Sequence, residues 1–206
     1  MKMNKISEKT VRQYDKLASL YDKKHKYPTF WLKEQKLFKK LIKGRRIIDI
    51  GCGPARDGIF FAKNNFDYVG IDASKNMLKI ARKKVRTGRF FNMNFYNLRF
   101  PENSFDGFWA AASLHLIPKK DVAQVLNSIV KIIRLDGIGF ITVKRRKRIG
   151  ANKSAPSWSP DITSYYHYYS KDEFQKILEK RGFQILKAYY KKKSNGNWLC
   201  YFVRKI

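Results

Sequence analysis

A chain of 206 residues is the length of one domain with a substantial core, and at 44% hydrophobic and 15% aromatic it is too apolar to be disordered. Lys and Arg number 45 against 16 Asp and Glu, a formal charge of +29, which favours nucleic acid, anionic lipid or anionic small molecules as partners; the excess is mostly Lys beside many Ile, Asn, Phe and Tyr, so an AT-rich genome accounts for it without any function. No apolar run approaches the ~20 residues of a membrane span, no apolar signal region follows Met1, and two cysteines, Cys52 and Cys200, make neither a disulfide framework nor a metal-ligand spacing, so a cytoplasmic, metal-free protein is expected.

In chain order, residues 9–24 read as a helix with Val11, Tyr14, Leu17, Ala18 and Tyr21 on one stripe. Trp31–Leu41 is a second helix, ended by Gly44. Ile47, Ile48 and Ile50 form a short buried strand around Asp49, and Gly51 and Gly53 make a tight turn. A helix follows from about Arg56 to Lys63, its free N–H groups facing a ligand. Tyr68–Ile71 is the next apolar strand, ending in Asp72, and Ser74 caps a helix whose apolar face is Met77, Leu78, Ile80, Ala81 and Val85. Phe90 and Phe91 open a third strand, and Phe105–Ala112 is a fourth. Asp121 caps a helix with Val122, Val125, Leu126, Ile129, Val130 and Ile133 at a 3.6 period; Leu135–Gly139 turns into a fifth strand, Phe140–Val143. Five cations, Lys144–Arg148, leave that strand and enter a Gly/Ser/Pro-rich loop containing Trp158. Tyr165–Tyr169 precedes a capping box, Ser170–Glu173, whose helix ends at Gly182. Phe183–Tyr190 and Trp198–Val203 form a hairpin turning at Ser194–Asn197. Alternating strands and helices that end in a hairpin predict an α/β, Rossmann-like fold: a seven-stranded, mostly parallel sheet with helices on both faces and an antiparallel C-terminal hairpin. Within one domain, 1–206, residues 1–43 are an N-terminal helical segment, 44–143 the ligand-binding core, 144–170 a basic and aromatic loop, and 171–206 the last helix and hairpin.

The glycine turn sets the ligand chemistry. Asp72 follows it by about 20 residues, the spacing at which a carboxylate reaches ribose hydroxyls. A dinucleotide fingerprint needs a third glycine where this chain has Arg56. Asp49, two residues before the first glycine, would repel a pyrophosphate and attract a cation. Acid, glycines, then a second acid suit the ammonium and sulfonium of S-adenosylmethionine better than NAD; a strand–turn–helix with no ligand is the plainer alternative.

Ile47–Gly58 with Val69–Ser74 resembles motif I and the following acidic motif of the class I S-adenosylmethionine-dependent methyltransferases, and Asn94–Trp109 resembles the family's next signature, an acid followed by L-P-F-x-x-x-S-F-D. The likeness spans nearly the whole chain and is nearest to small single-domain bacterial methyltransferases related to the quinone-biosynthesis group. It implies S-adenosylmethionine as cofactor and places its contacts at Tyr14, Tyr21, Asp49, Gly51, Gly53, Arg56, Asp72, Ala73, Met77, Asn94, Phe95 and Ala111. Residues 1–43 become a lid, with Tyr14 and Tyr21 over the cofactor. Asn94 stands where the family carries an Asp for the adenine amino group; an amide oxygen accepts that bond without the charge. Ser113–Pro118 resembles the family's L-H-x-I-P, which makes His115 the candidate general base or acceptor-holding group. Trp158, Tyr166 and Tyr169 are candidate substrate contacts, Tyr168–Ser170 matching the family's aromatic segment. Methyl transfer from a sulfonium is an in-line displacement dominated by positioning. Three functions are compatible with these residues: a methyltransferase acting on a small molecule, one acting on RNA or protein through the basic surface, and a non-catalytic cofactor binder. Either a monomer or a homodimer is expected.

Overall fold

A computed structural model describes residues 5–25, 30–145, 153–154, 164–193 and 196–206. The N-terminal helices are α1 (Lys5–Lys16), α2 (Ala18–Lys24) and α3 (Leu32–Leu41), followed by β1 (Arg46–Ile50), α4 (Gly58–Lys63), β2 (Asp67–Asp72), α5 (Lys75–Lys84), β3 (Arg89–Asn92) and β4 (Phe105–Ala110). A 3-10 turn over Leu114–Leu116 leads to α6 (Lys119–Ile132) and β5 (Ile133–Arg145). Two-residue strands β6 (Lys153–Ser154), β7 (Ser164–Tyr165) and β8 (Tyr168–Tyr169) precede α7 (Lys171–Glu179), β9 (Phe183–Lys193) and β10 (Gly196–Lys205).

The main sheet runs β3-β2-β1-β4-β5-β10-β9, with β8 pairing beside the end of β5. The strands from β3 to β5 are parallel, and β10 is antiparallel to both β5 and β9. The expected seven strands and hairpin are present, and β8 adds an eighth. Order reverses between β1 and β4, so β1 and β2 end at a switch point, where ligands bind open α/β sheets.

Strand side chains alternate between two cores. Ile48, Ile50, Val69 and Phe108 join α6 and α7 on one face; Ile47, Tyr68 and Trp109 join Trp31, Phe38, Phe61 and Leu78 on the other. Trp109 stacks on Phe140 at 4.3 Å and meets Phe61 edge-on at 5.2 Å. Such aromatic pairs add about 0.5–1.5 kcal/mol each beyond the burial itself.

Several local expectations need correction. The helix read over 9–24 is two helices, broken at Leu17 (φ −105°, ψ 13°). The third helix ends at Leu41, with Ile42 as its extended C-cap, before Gly44 is reached. α4 starts at Gly58 rather than Arg56, because residues 51–57 turn first and Ala55 adopts φ +53°. Asp121 does not cap α6: Pro118 holds that position, and the Asp121 carboxylate instead accepts a hydrogen bond from the Tyr96 hydroxyl at 3.0 Å. β4 stops at Ala110, since Ala112 turns to φ +57°. Leu135–Gly139 is not a turn but part of a long β5, with an irregularity opposite Phe105–Gly107 that absorbs the φ of +62° at Asp136. The capping box at Ser170–Glu173 forms as expected. Of the basic run, Lys144 and Arg145 close β5, and Arg146–Arg148 lie outside the described residues. The hairpin turn residues Ser194 and Asn195 also lie outside them.

Candidate active site

One cavity opens at the carboxyl ends of β1, β2 and β4, roofed by α1 and α2. All twelve residues expected to touch the cofactor line it: Tyr14, Tyr21, Asp49, Gly51, Gly53, Arg56, Asp72, Ala73, Met77, Asn94, Phe95 and Ala111. The lining also includes residues that no motif singled out as contacts, among them Ser7, Thr10, Asp57, Tyr96 and Ser113. Asp57 was discoverable as a second acid beside Arg56; Ser7 and Tyr96 reach the site only through long-range packing.

The turn is built by hydrogen bonds to β2. Gly51 N–H and Cys52 N–H both donate to Ile71 O at 2.9 Å. Gly53 N–H donates to Asp72 Oδ2 at 2.9 Å, and Ser74 N–H to Asp72 Oδ1 at 2.8 Å. Asp72 therefore ties the turn to the cap of α5 and still offers lone pairs to the cavity. Burial raises its pKa, against the bonds from Ser74 and Gly53 N–H. Gly51 and Gly53 take φ of +76° and +53°, which a side chain rarely adopts. Beside Gly53 there is open space: a Cβ built there meets no atom within 4 Å.

Asp49 is 3% exposed and accepts a bond from the Tyr68 hydroxyl at 2.7 Å. Asp57, also buried, accepts from Trp109 Nε1 at 3.1 Å and pairs with Arg56 Nε at 3.6 Å. Burial pushes the Asp49 carboxyl well above the usual carboxylate range, and the neighbouring Asp57 adds to this. Asn94 spends its amide oxygen on Tyr96 N–H at 3.0 Å, leaving a second lone pair for a ligand. Tyr14 and Tyr21 meet edge-on at 5.8 Å in the roof, and the Phe95 ring lies against Gly51.

Charged side chains on the lining are Asp49, Asp57, Asp72 and Arg56, a formal −3 + 1 = −2 when ionised, within a chain of +29. A cation-bearing nucleoside fits this lining: carboxylates for its positive groups and hydroxyls, apolar walls for its ring, and open space at Gly53. The buried Ser113 Oγ on the same lining has no hydrogen-bond partner among the described residues. Among the described residues no group of three or more His, Cys, Asp or Glu is arranged to hold a metal ion.

The candidate acceptor residues are placed elsewhere. His115 does not line the cavity. It is buried in the 3-10 turn, between Tyr166 at 5.0 Å and Trp198 at 5.2 Å, and its carbonyl accepts from His167 N–H at 2.8 Å. Burial, then Lys144 and His167, depress its pKa well below the usual value, so it is a neutral imidazole. Tyr166 and Tyr169 are buried off the cavity, and Trp158 lies outside the described residues. Lys144 is 8% exposed, its ammonium 4.0 Å over the Trp198 ring, so the basic run begins inside the protein rather than as a solvated tail.

A methyltransferase domain model matches residues 47–137. The demethylmenaquinone methyltransferase of Listeria welshimeri is 28% identical over 176 residues, covering 81% of this chain and 70% of that protein. A ubiquinone/menaquinone biosynthesis C-methyltransferase of Campylobacter jejuni is 26% identical over 237 residues, covering 97% and 98%. Among solved structures, the 1,6-didemethyltoxoflavin-N1-methyltransferase of Burkholderia thailandensis superposes with a TM-score of 0.72 at 19% identity, covering 100% of this chain and 92% of that chain. The [4+2]-cyclase SpnF gives 0.78 at 17%, covering 100% and 98%. At those identities the structural likeness is one of fold, and a fold does not by itself fix a reaction. The matched domain, the two relatives and a motif-lined cavity of the right charge together support a class I S-adenosylmethionine-dependent methyltransferase.

Proposed function

We propose that this enzyme transfers the methyl of S-adenosylmethionine to a small-molecule acceptor entering beside Ala111, Ala112 and Ser113. The observation that carries this is the net-negative cavity, lined by all twelve expected contact residues, on a strongly basic chain. In this reading Asp49 meets the cofactor's cationic end, Asp72 accepts from its ribose hydroxyls, and Asn94 and Phe95 frame its adenine. Tyr14 and Tyr21 on the lid exclude water above it. The cofactor supplies an already activated methyl group, so the chain's task is to hold donor and acceptor in line and dry. With His115 packed off the cavity, we assign it to the wall behind the acceptor mouth rather than to proton transfer. The quinone-pathway names of the relatives support a small acceptor, and the buried, reduced Cys52 and Cys200 suit a cytoplasmic enzyme.

Calorimetry with S-adenosylhomocysteine tests the cofactor half. Binding is expected, and Asp72→Ala should weaken it by about 1.5–3 kcal/mol, the worth of hydrogen bonds to a charged group; equal affinity would remove Asp72 from the site. Incubation with labelled S-adenosylmethionine and a fractionated metabolite extract tests the acceptor half, with label expected in a small-molecule fraction and not in RNA or protein.

A further inference from the structure

Asp49 stands among Ile47, Ile48 and Ile50 of β1, and its carboxylate is held there by one neighbour. It shares the Ile47 face of β1. The β1–β2 register sets Ile47 opposite Tyr68 and Asp49 opposite Gly70, so Tyr68 is the diagonal neighbour of Asp49, and Gly70 places no side chain between them. The Tyr68 hydroxyl donates to Asp49 Oδ2 at 2.7 Å, with both residues buried. The Asp49 carboxylate makes no other hydrogen bond within the described residues, and it lines the cavity, so Oδ1 is the oxygen left for a ligand.

We propose that Tyr68 is a positioning residue of this methyltransferase: its hydroxyl anchors the Asp49 carboxyl group, favours its charged form and aims it at the cationic end of the cofactor. The proposal rests on the reading that the cavity binds S-adenosylmethionine. The surroundings show why such a device is needed. Burial opposes ionisation of Asp49, and Asp57 from the turn and Asp72 from the end of β2 oppose it further; the Tyr68 bond and Arg56 favour it. Arg56 is already paired with Asp57. The Cys52 thiol, also in the turn, is held protonated by burial and by Asp49 itself. From the lid, Tyr21 faces Arg56, Asp57 and Asp72. From β4, Trp109 donates to Asp57 and not to Asp49. Tyr68 is itself pushed well above the usual tyrosine range, first by burial and then by Asp49, so it stays a donor. Packing alone does not require the hydroxyl: the ring stacks on Phe61 at 6.1 Å and meets Phe90 at 5.9 Å, contacts a phenylalanine would keep.

Tyr68→Phe is therefore the test. In ligand-free, carboxyl-labelled protein the ¹³C titration of Asp49, assigned with Asp49→Asn, should move to higher pH in Tyr68→Phe. S-adenosylmethionine affinity should fall about tenfold for each pH unit by which that midpoint rises, on its acid side, and return to near wild type well above it. Combined with Asp49→Asn, Tyr68→Phe should cause no further loss. The proposal is overturned if the Asp49 midpoint stays in place, if the loss is the same at every pH, or if Tyr68→Phe weakens binding equally in the Asp49→Asn background. An Asp49→Asn enzyme that binds as tightly as wild type would instead overturn the placement of the cofactor's cationic end, and this role with it, whatever the titration of the free protein shows.

Discussion

Gly51 and Gly53 lie two residues apart in one turn, yet substitution should fail at each for a different reason. A Cβ on Gly51 would stand 2.7 Å from Ser113 Cβ and 3.0 Å from Phe95 Cζ, at a φ of +76°. Gly51→Ala should destabilise the fold by about 2–4 kcal/mol, from left-handed strain and overpacking together. At Gly53 the backbone strain of φ +53° remains, but the new methyl meets no protein atom. Gly53→Ala should cost only about 1–2 kcal/mol in a urea melt while losing cofactor affinity out of proportion, and Gly53→Val should abolish binding. A Gly53→Ala protein that binds normally would place the cofactor away from this turn. His115 makes the other residue-scale prediction. Its folded pKa is depressed, so the folded state binds fewer protons than the unfolded chain and stability falls as pH drops below about 6.5, by at most about 1.4 kcal/mol per pH unit for one group. His115→Phe should flatten that slope between about pH 6.5 and 5 in denaturant titrations; an unchanged slope would assign the acid sensitivity to other groups. The twelve expected contact residues, all on the cavity lining, were legible because motif spacing is local. The off-cavity position of His115 was not, because Tyr166 and Trp198, which enclose it, come from segments distant in sequence.

The proposed lid, α1 and α2, is held by polar clasps. Asp15 near the end of α1 accepts from Ser74 Oγ at 2.7 Å, Asn76 N–H at 2.9 Å and Asn76 Nδ2 at 3.1 Å, which fastens the lid to the start of α5. Ser7 bonds the Tyr96 hydroxyl at 3.2 Å, and Asp22 on α2 pairs with Lys84 at the other end of α5. Asp15→Ala should speed cofactor dissociation about tenfold or more in stopped-flow, since bonds to a charged group are worth roughly 1.5–3 kcal/mol. The urea midpoint should move little, because the sheet core is untouched; equal dissociation rates would mean that the lid does not gate the cavity. Burial works to raise the Asp15 pKa, but the bonds from Asn76 N–H, Ser74 and Lys75 N–H outweigh it and leave it below the ordinary value. The clasp is thus complete at neutral pH and is lost only as pH falls through that depressed value. Helical periodicity made the lid readable, but it runs on through Leu17 and so concealed the break. The clasps join residues 59–89 apart, a separation over which no local pattern carries a signal. The long β5 was missed for a related reason: Asp136 and Gly137 look like a turn in sequence, whereas pairing with β4 and β10 extends the strand across them.

At the scale of the whole molecule, two fields of opposite sign coexist: a cavity lining of formally −2 when its acids are ionised, inside a chain of +29. The first attracts a cationic cofactor at short range; the second attracts any polyanion at long range. If the surface charge served catalysis, a bound polyanion would alter events in the cavity. The described part of the basic run argues against this. Lys144 is packed over Trp198 and Arg145 lies 4.0 Å over the Tyr190 ring, so these two cations are engaged by aromatic rings of the fold. We therefore expect single-stranded RNA to bind weakly and without sequence preference. Its affinity should fall steeply with salt, at a slope of about −0.7 per phosphate neutralised, and the binding should not compete with S-adenosylmethionine. Cofactor affinity, set by a few buried contacts, should change far less over the same salt range, because buried charges are poorly screened. Fluorescence anisotropy of a labelled oligonucleotide and calorimetry of the cofactor, each at two salt concentrations, separate the two fields. A salt-resistant RNA complex, or RNA that changes cofactor affinity, would make the basic surface part of the acceptor site and overturn the small-molecule assignment.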